Sequence, residues 1–334
     1  MNPIIAIDAM GGDHAPDEIV AGAVLARMMT RERVRLVLVG REAPVRESLR
    51  QYDAPDDIEV VNASEIVSMH DSVSSLRRKK DSSLAVAIRM QKEGKAHAMV
   101  SAGNTGAAMA LSLIQLGRIP GVGRPAIAVP MPTATGKACT LIDGGANSAC
   151  KAEHLYQFGV MGSLYHQHAY GVERPTVGLL SIGEEASKGN PTTQEANKLL
   201  TASSLNFVGN VEGRDIMSGE FDVIACDGFT GNVVIKFAES SITLLKNIIG
   251  DAMKSSPMSM LGGFLLRGAL KKQLRKFDYQ EFGGAPLLGM NGTSIICHGR
   301  SRAKAIANAV LVAEKEVRAQ LNVRIRAELE RNTR

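Results

Sequence analysis

The 334-residue chain has no tryptophan, and its aromatic residues together make up only 4% of the sequence. A core built here must be aliphatic, which suits packing around a sheet. Cysteine is scarce: Cys139, Cys150, Cys226 and Cys297, none spaced as C-x-x-C. That excludes a disulfide framework and the common zinc and dithiol motifs, and leads us to expect free thiols in a reducing compartment. No apolar run approaches the roughly 20 residues that span a bilayer as a helix. The opening residues lack a basic stretch and reach Asp8 quickly, unlike a secretory leader, so the expected location is cytoplasmic.

Several catalytic signatures are missing as well. After the first apolar run, Gly11-Gly12 is followed by Asp13 rather than by the remaining glycines of a dinucleotide fingerprint. Gly136-Lys137 precedes Ala138, not Ser or Thr, so it is no P-loop. There is no G-x-S-x-G elbow. His166 and His168 stand two apart on an expected helix and point to different faces, which argues against a metal pair. No metal or cofactor is expected.

What is present is a modest positive balance, 39 Lys and Arg against 34 Asp and Glu, with pI ≈ 9.0. Such a surface attracts phosphate, anionic lipid or an acidic protein. The run Arg77-Arg78-Lys79-Lys80 lacks interleaved aromatics and sits in no nucleic-acid module, so nucleic acid is not an expected partner.

Short Val/Ile/Ala runs alternate with segments of helical period. Strands are expected at 4–9, 34–39, 58–61, 96–101, 126–129, 138–142, 176–182, 206–211, 223–226 and 293–297. Helices are expected at 16–29, 82–92, 105–116, 152–165, 192–202, 231–249 and 303–319. Strands without polar alternation are covered on both faces. The expected fold class is α/β: a three-layer α/β/α sandwich with a mostly parallel sheet, one catalytic domain over 1–334 that can divide into two lobes, ending in a charged tail at 322–334.

Ligands of open α/β sheets bind at the carboxyl ends of strands. Five such ends here carry glycine-rich turns, which we expect on one edge: Asp8–Pro16, 101–106, 143–147, 183–190 and 227–232. Glycine lets backbone N–H groups approach an anion, and a following helix N-terminus favours negative charge. One such turn is ordinary turn chemistry; five suggest a phosphate-binding cleft. Residue chemistry alone thus reaches a phosphate-binding α/β enzyme with no evident nucleophile.

The same residues carry a family resemblance. Ile7-Asp8-Ala9-Met10-Gly11-Gly12-Asp13, Arg77–Ser83, Ser101-Ala102-Gly103-Asn104-Thr105-Gly106, the 143–147 turn, Lys188-Gly189-Asn190, Glu212-Gly213-Arg214-Asp215, the 227–232 turn and 283–289 lie in order along nearly the whole chain. Together they resemble the bacterial phosphate acyltransferases of phospholipid synthesis. The resemblance implies transfer of a fatty acyl group from acyl carrier protein to inorganic phosphate, giving acyl phosphate. It also implies a homodimer with a fold similar to phosphotransacetylases and the isocitrate or isopropylmalate dehydrogenases. A short-chain phosphotransacetylase using coenzyme A, and a non-catalytic membrane-docking scaffold for acyl carrier protein, are the alternatives.

In that reaction phosphate is itself the nucleophile, so the missing Ser or Cys motif is expected. Resemblance and chemistry together single out Lys188 and Asn232 as catalytic, Lys188 to neutralise phosphate or developing charge and Asn232 to donate to the oxyanion. A competing role for Asn232 is N-cap of the helix after it. Ser101, Asn104, Thr105 and Gly106 form the expected phosphate cradle, with Gly11, Gly12 and Asp13 as the opposite wall. His14 and His298 are left outside the site.

Residues 254–278 stand apart as a protruding amphipathic segment. At helical spacing Leu266, Leu270, Leu274 and Phe277 share a stripe, flanked by Arg267, Lys271, Lys272 and Arg275. An apolar stripe with basic flanks suits an interfacial helix on an anionic membrane, or a contact with acidic acyl carrier protein. The expected location is therefore cytoplasmic with peripheral membrane association.

Overall fold

The computed structural model describes residues 2–275 and 279–331. Its first part comprises β1 (Ile4–Asp8), α1 (Asp17–Thr30), β2 (Arg35–Gly40), α2 (Glu42–Gln51), β3 (Glu59–Asn62), α3 (Ser83–Lys92), β4 (Ala98–Ser101) and α4 (Thr105–Gln115). Then come β5 (Ala126–Pro132), β6 (Ala138–Ile142), α5 (Ala152–Tyr170), β7 (Thr176–Leu180), α6 (Pro191–Thr201), β8 (Asn206–Val211) and β9 (Val223–Ala225). The chain closes with α7 (Gly228–Lys254), α8 (Pro257–Arg275), α9 (Tyr279–Phe282), β10 (Ala285–Leu288), β11 (Thr293–Ile296), α10 (Ala303–Ala319) and α11 (Leu321–Arg331).

The strands form one 11-stranded sheet in the order β3-β2-β1-β4-β11-β10-β5-β6-β9-β7-β8. It is mostly parallel, as expected. The alternation of side chains along each strand builds the three layers. Ile5 and Ile7 of β1 face α1 and α10, among Ile19, Val20, Ile306 and Val310. Ala6, between them, faces α3 and α4, among Leu84, Ile88 and Leu111. Burying such side chains stabilises by about 1.5–3 kcal/mol each. In the second half, Phe158 and Met161 of α5 cover one face. The other face is covered by the first turns of α7, through Val234, Ile235 and Ala238, and by Ile216 and Met217 of the turn after β8.

Three antiparallel pairings, β11–β10, β10–β5 and β5–β6, interrupt the parallel order. Three reversals leave β6, β9, β7 and β8 running opposite to β1, β2, β3, β4 and β11. The glycine turns therefore do not share one edge, as the sequence suggested. Those after β1 and β4 and those after β6, β7 and β9 follow strands that arrive from opposite directions.

β10 was not expected from sequence, because Pro286 sits within it; it is accommodated where Pro286 pairs with Ile295. The charged C-terminal segment is helical as far as Arg331, and α11 buries Leu321, Ile325 and Leu329 against the α5 side of the core. α8 folds back on α7, with Gly263 against Met253. Met258, Leu261, Phe264, Leu265 and Leu266 on α8 are exposed.

Candidate functional site

The two sets of strand ends meet at the antiparallel seam in a cavity of about 390 Å³. Thr105 and Gly106, at the start of α4, form one wall; Gly144, Gly145 and Asn232 form the other, and His298 stands at the end of β11. Hydrogen bonds at and beside the seam fix this meeting: Gly144 N–H donates to the Ile127 carbonyl at 2.8 Å, and, between the parallel β11 and β4, Cys297 N–H donates to the Ser101 carbonyl at 2.8 Å.

The 143–147 turn is organised by its own acid. Asp143, fully buried, accepts from the N–H groups of Ile127, Gly145, Ala146 and Asn147 and from the Asn147 side-chain amide, at 2.7–3.1 Å. Burial pushes its carboxyl above the usual carboxylate range, and these donors pull it back down. The carboxylate occupies the nest that the glycines make, so the turn shapes the wall and is not an open anion site. A similar closure holds the first turn. Asp8, buried and raised by desolvation, accepts from the Ser101 hydroxyl at 2.7 Å and from Met10 N–H at 3.3 Å.

The expected cradle is thereby divided. Ser101 donates its hydroxyl hydrogen bond to Asp8 and accepts from Gly103 N–H at 3.0 Å, in a buried position. Asn104 caps α4 by accepting from Ala107 N–H at 3.0 Å, and its amide donates to the Met69 carbonyl at 2.9 Å. Both side chains are spent on structure. Thr105 and Gly106 line the cavity, and their N–H groups, in the first turn of α4, have no intrahelical partner. Gly11, Gly12 and Asp13 lie beside Ala102, Gly103 and Gly299, on the same side as α4. They support that wall and do not line the cavity.

Asn232 is not an N-cap. α7 begins four residues earlier, at Gly228, and its cap is Asp227, which accepts from Thr230 N–H at 2.8 Å. Asn232 sits in the second turn with its side chain against Gly145, free of capping duty. The close approach needs glycines on both sides: a β-carbon on Gly231 would collide with the Asp143 carbonyl oxygen.

Lys188 is exposed on the loop after β7 and does not line the cavity. Its turn is held by the Asn210 amide donating to the Glu185 carbonyl at 2.8 Å and by Asn190, which caps α6. The turn shares a sheet edge with the Asn232 turn, since β7 and β9 are parallel neighbours. His298, set aside from sequence, is a cavity residue; its Nδ1 accepts from Arg300 N–H at 3.1 Å. Only its place at a strand end could have signalled this.

No thiol here is a poised nucleophile. Cys297, beside the cavity, is pushed up to about 12 by burial, and Cys150 to about 11. Of the residues expected from sequence to contact a membrane or carrier, Leu266, Arg267 and Lys271 are exposed and Leu270 is half-buried. Phe277 and the side chains of Lys272, Leu274 and Arg275 lie outside the described residues.

Comparison with known proteins places this geometry in context. A family model described as "Fatty acid synthesis protein" matches residues 4–324. A protein named phosphate acyltransferase from Heliobacterium modesticaldum is 51% identical over 316 residues, covering 94% of this chain and 93% of that one. Another of that name, from Syntrophotalea carbinolica, is 48% identical over 328 residues, covering 98% and 94%. Among solved structures, a phosphotransacetylase from Streptococcus pyogenes superposes with a TM-score of 0.66 at 18% identity, covering 95% and 94%. That last likeness concerns the fold.

Proposed function

The chain belongs to the phosphate acyltransferase family and is an acyltransferase, and from that premise we propose that it moves a fatty acyl group from acyl carrier protein to inorganic phosphate, yielding acyl phosphate for phospholipid synthesis. The observation that carries the reading is the seam cavity, where the α4 N-terminus faces an uncommitted Asn232 and the one lining thiol, Cys297, is kept protonated by burial.

Phosphate binds at the first-turn N–H groups of α4 and the Thr105 hydroxyl, where the helix dipole favours an anion. A phosphate oxygen attacks the thioester carbonyl; the C–O bond forms as the carbonyl electrons move onto oxygen. Asn232 donates to that oxyanion and, being neutral, does so at any ordinary pH. The C–S bond then breaks, and the carrier thiolate leaves and takes a proton from solvent. Holding both reactants in one cavity can lower the barrier by up to roughly 7–11 kcal/mol. Lys188, on a long exposed side chain beside the Asn232 turn, supplies positive charge to the incoming phosphate or carrier.

Exposed Met258, Leu261, Phe264 and Leu265 beside Arg267 and Lys271 support contact of α8 with an anionic membrane. The bare stripe of Phe229, Val233, Phe237, Leu244 and Ile248 along α7 supports a homodimer, with a second copy covering it. The deciding assay follows phosphate-dependent loss of thioester with palmitoyl-acyl carrier protein and with acetyl-coenzyme A. Faster turnover of the carrier substrate supports the reading. Preference for acetyl-coenzyme A would make the enzyme a short-chain phosphotransacetylase, and loss of neither would leave a docking scaffold.

A further inference from the structure

A second cavity, of about 600 Å³, opens next to the first and shares Val129, Pro130, Ile235 and His298 with it. It runs along one face of α7: Ile235, Glu239, Ile242 and Lys246 recur at helical spacing. From Ile235 to Lys246 that is about 16 Å of helix. The facing wall carries Met131 of β5 and Met217, with Phe282 at the side. This face of α7 is opposite the bare Phe229–Ile248 stripe, so a second copy on that stripe leaves the cavity open.

The lining has more apolar than polar surface, and Lys246, Gln280, His298 and Arg300 also contribute to it. Ser240 and Thr243 carry the hydroxyls on its helical wall, and both turn back onto the helix, donating to the Lys236 and Glu239 carbonyls at 2.9 Å. Lys236 and Glu239 pair with each other at 2.9 Å near the shared mouth. The two methionines present flexible, polarizable surface that adapts to a chain of varying length. An elongated space, more apolar than polar, that adjoins the Asn232 cavity and extends along α7 away from the α4 N-terminus fits one part of the substrate.

We propose that this second cavity holds the aliphatic chain of the acyl donor, and that Ile242 and Met217 set the preferred chain length. The inference rests on the reading of the chain as a fatty-acyl transferase. Helix α7 then has two tasks: its second turn places Asn232 at the carbonyl, and its next three turns form the floor under the chain. Burial of each further methylene strengthens binding by about fourfold until the space is filled.

The test compares Ile242→Phe and Met217→Phe with the unsubstituted enzyme, using butyryl and palmitoyl thioesters of the same carrier and measuring phosphate-dependent kcat/KM. The palmitoyl-to-butyryl ratio should fall about tenfold or more in each variant while butyryl turnover is retained. An unchanged ratio in both variants overturns the inference. So does an equal loss for both chain lengths, which would put the carrier's pantetheine arm in this space. If the unsubstituted enzyme consumes neither thioester in a phosphate-dependent way, the functional reading fails, and this inference with it.

Discussion

Gly145 lies flat against the side chain of Asn232: a β-carbon added there would stand 3.3 Å from Asn232 Cβ and 3.7 Å from its Oδ1. Gly145 also has φ +137, a conformation that side chains disfavour. Asn232 is thus aimed by the turn that Asp143 organises, and the turn's glycines matter for fit more than for anion binding. Gly145→Ala should lower kcat at least tenfold with little change in the KM for phosphate. Steady-state kinetics with saturating acyl donor checks this.

Removing the Asn232 amide should cost about 10²–10³ in kcat, the usual loss for one oxyanion donor. Circular dichroism and melting of Asn232→Ala should match the unsubstituted protein, because the side chain neither caps α7 nor joins the core. Near-normal turnover would remove Asn232 from the site. Lys188→Ala should instead weaken phosphate or carrier binding, visible mainly in KM.

Asp143→Asn replaces an acceptor of five N–H donors by a group with half the acceptor capacity. Leaving buried N–H groups unpaired costs about 1–3 kcal/mol each. The variant should melt several degrees lower and lose activity in the same step, unlike Asn232→Ala. Differential scanning calorimetry separates the two.

Away from the site, burial raises Glu316 from its ordinary value of 4.5 to about 8. A carboxyl raised on folding contributes stability that is fully present below pH 4.5 and lost as pH rises through about 8. Each pKa unit corresponds to about 1.4 kcal/mol. The melting temperature should therefore fall across that window, and Glu316→Gln should flatten the fall and raise stability at its alkaline end.

If phosphate is the nucleophile, no acyl-enzyme forms. Intact-protein mass spectrometry after mixing with acyl donor, in the absence of phosphate, should show the unmodified mass. The alkaline position of Cys297, at about 12, supports this outcome.

Much of the fold is legible in the chain because strands buried on both faces read as unbroken runs such as Ile4-Ile5-Ala6-Ile7 and Arg35-Leu36-Val37-Leu38-Val39. What escapes has local causes. Pro44 and a polar composition hide α2, and Pro286 hides β10. The reversal of sheet direction itself lies at the antiparallel β5–β6 pair, whose strands are legible but whose direction is not, so the glycine turns look as though they share one edge. The glycine turns and Asn232 are legible as site material. Which of their donors are already spent is not, because Asp8 meeting Ser101 and Asp143 meeting Ile127 are contacts between distant strands. His298 is hidden for the same reason: only the seam carries it to the cavity.

The central claim is that inorganic phosphate attacks the acyl group directly, and oxygen-18-labelled phosphate tests it most directly. The enzyme is given acyl-acyl carrier protein and fully labelled phosphate, and the acyl phosphate is analysed by mass spectrometry and phosphorus NMR. The account predicts acyl phosphate that retains every labelled oxygen, with one of them bridging carbon and phosphorus. Fatty acid carrying solvent oxygen, with no labelled acyl phosphate, would contradict it.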